Sequence, residues 1–200
     1  MNNCAIQPLV FLDIDGVLNS IGWKMARHYY HIEEHSHSRE LNDQYRYSEY
    51  PISSAHGVSE VMDYGHLLSE LDLTAIAIFE TLIQDTQARV IISSSWRLLH
   101  RGIEWLQTLL YQRGSRILPD AIIGKTPVVR KRENFNQRGN EVEAYLESNP
   151  EWRHNYICVD DCSYHYHPYQ RVVETNPAIG FSLLDYQTAL NFLCNTAKAS

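Results

Sequence analysis

Two stretches of this chain end an apolar run in paired carboxylates. In Leu9-Val10-Phe11-Leu12-Asp13-Ile14-Asp15-Gly16 the acids lie two apart, and in Tyr156-Ile157-Cys158-Val159-Asp160-Asp161 they are adjacent. A short apolar run stopped by a turn signal reads as a buried strand, and Asp15-Gly16 is such a signal. On a regular strand Asp13 and Asp15 share a face, while Gly16 lets the chain bend away. Carboxylates so placed suit a divalent cation and a nucleophile that forms an acyl phosphate. A lone Asp-Gly suits an Asx-stabilised turn equally well. Topology joins the two signals: parallel strands that both end in acids bring them to the carboxyl edge, where ligands of open α/β sheets bind.

A third apolar run, Arg89-Val90-Ile91-Ile92-Ser93-Ser94-Ser95-Trp96-Arg97, ends in hydroxyls, of which at least one reads as a helix cap. The elements that must position these groups follow from hydrophobic periodicity. Leu73, Ile76, Ala77, Phe79 and Ile83 have helical spacing and precede the strand of Val90 to Ile92. Ile103, Leu106 and Leu110 make a second helical face ending at Gly114, before the short strand run Ala121-Ile122-Ile123. Val142, Tyr145 and Leu146 mark a third helix, halted by Asn149-Pro150. Arg171 to Thr175 reads as an outer strand and Leu183 to Leu193 as a terminal helix. This alternation predicts an α/β fold with a central parallel sheet flanked by helices.

The order DxDGVLN, a strand ending in Ser, a basic residue before a helix and a strand ending in Asp-Asp resembles the haloacid dehalogenase (HAD) superfamily of phosphatases and phosphotransferases. DIDGVLN with SSSWR is similar, more narrowly, to small HAD domains related to RNA-repair proteins. The resemblance spans roughly Leu9 to Leu193 and implies a Rossmann-like HAD core. It implies that Asp13 attacks phosphorus, that Asp15 protonates the leaving oxygen and later activates water, and that Mg²⁺ is held by Asp13, the Asp15 backbone carbonyl and Asp160 or Asp161, with Asp160, read as the first residue past its strand, favoured for direct contact and Asp161 as a direct or water-mediated partner. Ser93 or Ser94 would bind phosphoryl oxygens, with Ser94 preferred for its spacing to Trp96. Arg138 stands where the family's positive residue precedes a helix, with Lys125 and Lys131 as reserves; Arg97 is a further phosphate-binding candidate, or an ion-pair partner for a helix acid. Asn19 and Trp96 would pack or hydrogen-bond around the site. The implied activity is Mg²⁺-dependent hydrolysis of a phosphomonoester, on a phosphorylated small molecule, a nucleotide or a nucleic-acid end. A phosphotransferase, or a silent interaction domain of the same fold, is the alternative. Dehalogenation leaves Asp15 without a role.

Residues 21–66 break the alternation and are rich in Tyr and His. In a HAD-like chain they would form a cap or lid inserted into a single domain spanning 1–200, reading the substrate and excluding water. His31 and His35, i and i+4, offer a metal-site alternative, and the segment's rings could stack on bases. His165 and His167 read first as loop residues and could touch a leaving group. A net charge of −7 argues against a broad basic footprint for nucleic acid, and Arg130, Lys131 and Arg132 read first as a solvated loop, with a phosphate-binding role as the alternative. Cys4, Cys158, Cys162 and Cys194 lack zinc-type spacing, and Cys158 within a core strand implies a reduced, buried thiol. With no apolar stretch long enough for a membrane span and no leader pattern, the expected location is cytoplasmic.

Overall fold

The computed structural model describes residues 7–26, 70–98, 102–129 and 136–196. Five strands, β1 (Leu9–Leu12), β2 (Arg89–Ile92), β3 (Ile122–Lys125), β4 (Tyr156–Asp160) and β5 (Val172–Glu174), form one sheet in the order β3-β2-β1-β4-β5. Every pairing is parallel. Helices among the described residues include α1 (Leu73–Thr86), α2 (Gly102–Gln112), α3 (Leu118–Ala121), α4 (Gln137–Ser148) and α5 (Leu183–Thr196). This is the Rossmann-like α/β architecture expected of the alternating pattern.

Strand periodicity divides the interior in two. Val10, Leu12, Val90, Ile92, Ile157, Val159 and Val173 face one way, into a cluster with Phe79, Leu82, Leu109 and Ala189 of α1, α2 and α5. Leu9, Phe11, Ile91 and Cys158 face the other way, against Val142 and Leu146 of α4. All four residues of β1 are fully buried, which is why that strand reads as a continuous apolar run. Cys158 is a free, fully buried thiol.

The register aligns the strand ends. Leu12 pairs with Ile92 on one side and Val159 on the other. Beyond them the ladder continues one step, the Asp13 N–H donating to the Val159 carbonyl and the Ser93 N–H to the Leu12 carbonyl. Asp13 follows Phe11, and Asp160 follows Cys158, in the alternation that faces α4. The acids thus emerge on the side of the sheet that α4 covers.

Three boundaries differ from the sequence reading. A short helix, α3, precedes β3 where the run from Ala121 was expected to be strand. Pro119 sits in its first turn, and Glu80 accepts from the N–H groups of Arg116, Ile117 and Leu118, capping donors that no local residue serves. Asp160 is the last residue of β4 and not the first past it, paired with Glu174. Arg138 lies within the first turn of α4 instead of ahead of it. From residue 27 onward the expected cap over 21–66 lies outside the described residues, as do His31, His35, Arg130, Lys131 and Arg132. Among the described residues no helix is long and apolar enough to cross a membrane.

Phe11 is fully buried between the edges of Tyr145 and Tyr156, with ring centroids 5.5 and 5.7 Å away. Truncation there opens a cavity beneath α4 in the central strand. Phe11→Ala should lower unfolding free energy by about 3–5 kcal/mol in urea titration; a loss below about 1 kcal/mol would contradict this packing.

Candidate active site

The turn after β1 is built around Asp15 and Gly16. Asn19 closes it, its Oδ1 accepting from the Gly16 N–H at 2.9 Å and its Nδ2 donating to Asp15 Oδ1 at 2.7 Å. Trp96 Nε1 reaches across from the segment after β2 and donates to Asp15 Oδ2 at 3.1 Å. Two rigid donors therefore fix the orientation of the Asp15 carboxylate. Asn19 and Trp96 are hydrogen-bonding supports, as their place in the motif suggested. Gly16 has φ +71°, and a Cβ there would collide with Asp161 Oδ2. Glycine is required both by the backbone conformation and by the approach of the Asp160-Asp161 segment. The Gly16 carbonyl also accepts from Thr175 Oγ1 at 3.0 Å, so the turn is tied to the end of β5.

Asp13 is 6% exposed, and its Oδ1 has no hydrogen-bond partner among the described residues. Its neighbours are a hydroxyl and a guanidinium: the Ser94 side chain favours the ionised carboxylate, and Arg138 Nη2 stands 3.6 Å from Oδ1. The Asp13 carboxyl is nevertheless pushed up to about 7, chiefly by burial and then by the Asp160 charge. Ser94 and Arg138 oppose this only in part, and Asp15 adds to it. Asp160 is likewise raised, first by burial, although Tyr166 Oη and the Cys162 N–H, each at 2.8 Å, donate to it.

Ligand atoms of Asp160, Asp161 and Cys162 lie within 4.8 Å of one another. Oxygen from the two acids suits a hard cation; the Cys162 thiol does not. The donor chemistry at this edge fits Mg²⁺ on two counts. A buried carboxylate oxygen of Asp13 lacks a hydrogen bond, and the mutual repulsion of Asp13 and Asp160 is what a cation between acids relieves.

Loops after β1, β2 and β4 and the first turn of α4 thus bring Asp13, Asp15, Ser94, Arg138, Asp160 and Asp161 to one sheet edge. Ser93 belongs to the same loop; its Oγ is fully buried with no hydrogen-bond partner among the described residues, whereas Ser94 Oγ accepts from the Trp96 N–H at 3.4 Å and favours the charge on Asp13. Lys125 is turned elsewhere, donating to the Arg97 carbonyl at 3.3 Å, and Lys131 lies outside the described residues. His165 packs on Tyr164 and His167 stacks on Tyr169. Arg97, 3% exposed, contacts Glu141 at 2.6 Å, the ion pair with a helix acid. Glu141 and Tyr166 escaped the sequence reading. Glu141 lies three residues after Arg138, a helical ion-pair spacing that was available as a signal. Tyr166 sits in irregular chain with no pattern to betray it.

The raised Asp13 carboxyl sets a sign for stability. Between pH 4 and 7 the folded protein holds a proton that the unfolded chain has released, so metal-free stability falls as pH rises through that window. Asp13→Asn removes the buried charge with little change of shape. In chelator at pH 8 the variant should be more stable than the parent by on the order of 2 kcal/mol, the difference vanishing near pH 4. Equal pH profiles in thermal denaturation would refute the repulsion.

Comparison with curated proteins and with solved structures returned no match. Residues 9–185 match the family described as the HAD domain in Swiss Army Knife RNA repair proteins. That match runs from the first residue of β1 into α5, taking in every strand and each acid described above, and the chain therefore belongs to this family of HAD domains.

Proposed function

We propose that the chain is a Mg²⁺-dependent phosphatase that hydrolyses a phosphomonoester through a phosphorylated Asp13, with a nucleotide or nucleic-acid end as its substrate. The observation that carries this reading is the pairing around Asp13: a buried carboxylate with an unsatisfied oxygen, flanked by the Ser94 hydroxyl and by Arg138 at 3.6 Å. Phosphoryl transfer asks for a nucleophile, for donors to the equatorial oxygens and for a proton at the leaving oxygen. Asp13, then Ser94 with Arg138, then Asp15 supply these in turn.

In the first step an Asp13 oxygen bonds to phosphorus as the ester P–O bond breaks, and the departing oxygen takes a proton from Asp15. Asp15 then removes a proton from water, which attacks the acyl phosphate, releases orthophosphate and restores the Asp13 carboxylate. Asn19 and Trp96 keep Asp15 aimed through both steps. Asp13, the Asp15 carbonyl, Asp160 and Asp161 are the groups to hold Mg²⁺, with Tyr166 and the Cys162 N–H orienting Asp160. When bound, the ion neutralises charge between the acids and the phosphoryl group and favours ionised Asp13. The substrate class rests on the family description, which names RNA-repair proteins.

The test is hydrolysis of mononucleotides and of 3′- or 5′-phosphorylated oligonucleotides, beside a simple aryl phosphate. Asp13→Asn should lower turnover by roughly a thousandfold or more. Chelation should abolish activity and Mg²⁺ restore it. Equal rates for the parent and Asp13→Asn would remove Asp13 as nucleophile, and cleavage confined to sugar phosphates would remove the nucleic-acid substrate.

A further inference from the structure

A closed circuit of contacts runs behind the nucleophile. The Ser94 hydroxyl stands beside Asp13 and favours its ionised form, and the Ser94 carbonyl accepts from Arg97 Nη1 at 2.7 Å. Arg97 Nη2 lies 2.6 Å from Glu141 Oε1; Glu141 Oε2 lies 3.6 Å from Arg138 Nη1; and Arg138 Nη2 returns to Asp13 Oδ1 at 3.6 Å. Glu141 is the one charged member with no solvent exposure, an acid on α4 whose two oxygens each meet a different guanidinium. A charge held so far from water is tolerated only when opposite charge surrounds it.

We propose that Glu141 is a positioning residue for the phosphoryl group, holding the two arms that receive it, Arg138 on α4 and the Ser94 loop through Arg97, at a fixed spacing around Asp13. This inference rests on the phosphatase reading above. The Arg138 fork is divided: Nη1 is turned to Glu141 and Nη2 to the nucleophile. Without the Glu141 charge the guanidinium keeps the acids of the sheet edge, Asp13 at ion-pair distance and Asp160 beyond it, and closes on Asp13 as an ion pair. The nucleophile is then masked and the donor withdrawn from the incoming phosphoryl oxygens. Arg97 does the complementary work, offsetting Glu141 and clamping the carbonyl of the residue whose hydroxyl touches Asp13. Glu141 touches no reacting atom in this scheme and acts through its partners.

The experiment measures binding of orthophosphate by calorimetry to the full chain with Mg²⁺, beside kcat and KM on a phosphomonoester. Glu141→Gln should weaken orthophosphate by about tenfold or more, raise KM and lower kcat. Arg138→Gln should do the same, and the double variant should lose less than the two single losses combined, since Glu141 acts in part through the Arg138 guanidinium. Glu141→Asp, which keeps the charge on a shorter stem, should recover part of the loss. Should Glu141→Gln fail to fold because Arg97 is left uncompensated, Arg97→Met with Glu141→Met removes both buried charges at similar volume and should fold yet bind orthophosphate weakly. Affinity within about twofold of the parent in whichever of these variants folds, with Arg138→Gln weakened, overturns the role of Glu141 alone. Unchanged affinity in Arg138→Gln, or none in the parent, overturns the phosphatase reading and this inference with it.

Discussion

The constraint on which this structure depends is the repulsion among carboxylates gathered at one sheet edge. Asp13, Asp160 and Asp161 come from strands that pair side by side, and burial denies the first two the water that would screen them. Several nearby polar groups can be understood as an answer to that repulsion. Tyr166 and the Cys162 amide donate to Asp160, the Ser94 hydroxyl favours the charge on Asp13, and Arg138 stands opposite. These answers are partial, because Asp13 keeps an unsatisfied oxygen and a carboxyl near neutrality. A fold that leaves such charge uncompensated gives up stability for the capacity to hold something charged there.

The same edge shows how a rigid frame sets chemistry on loops. β1 is central, with β2 and β4 on its flanks, so the ends of all three strands are fixed by ladder hydrogen bonds. Only a turn or less of chain separates each ladder from its functional group. Asn19, Trp96 and Thr175 then pin the first turn from three directions. Precision is achieved by short tethers from buried strands.

The strands and their acids were legible in the sequence because a parallel strand buried on both faces must be apolar throughout, and a polar residue ending it stands out. Helices α1, α2 and α4 were legible through their apolar stripes. Glu141 was not, since a glutamate in a polar helix ordinarily faces water; its burial follows from a first turn laid over the strand ends, which no helical period encodes. Tyr166 was missed for a related reason: its hydroxyl reaches Asp160 only because the chain after β4 folds back under α4. The α3 helix depends on Glu80, a residue far away in sequence, to cap its amides. Long-range partners decide what local pattern leaves open.

The central place of β1 has an outcome for the chain as it is synthesised. Leu9 to Leu12 emerge first, and β2 can cover one side of them, but the other side waits for Tyr156 to Asp160. Until then a fully apolar strand presents bare amides and carbonyls along one margin, a template to which another nascent polypeptide can add. Ribosomal pausing before β4, or premature termination there, would accordingly favour aggregates seeded by the very segment that carries the DxDG motif.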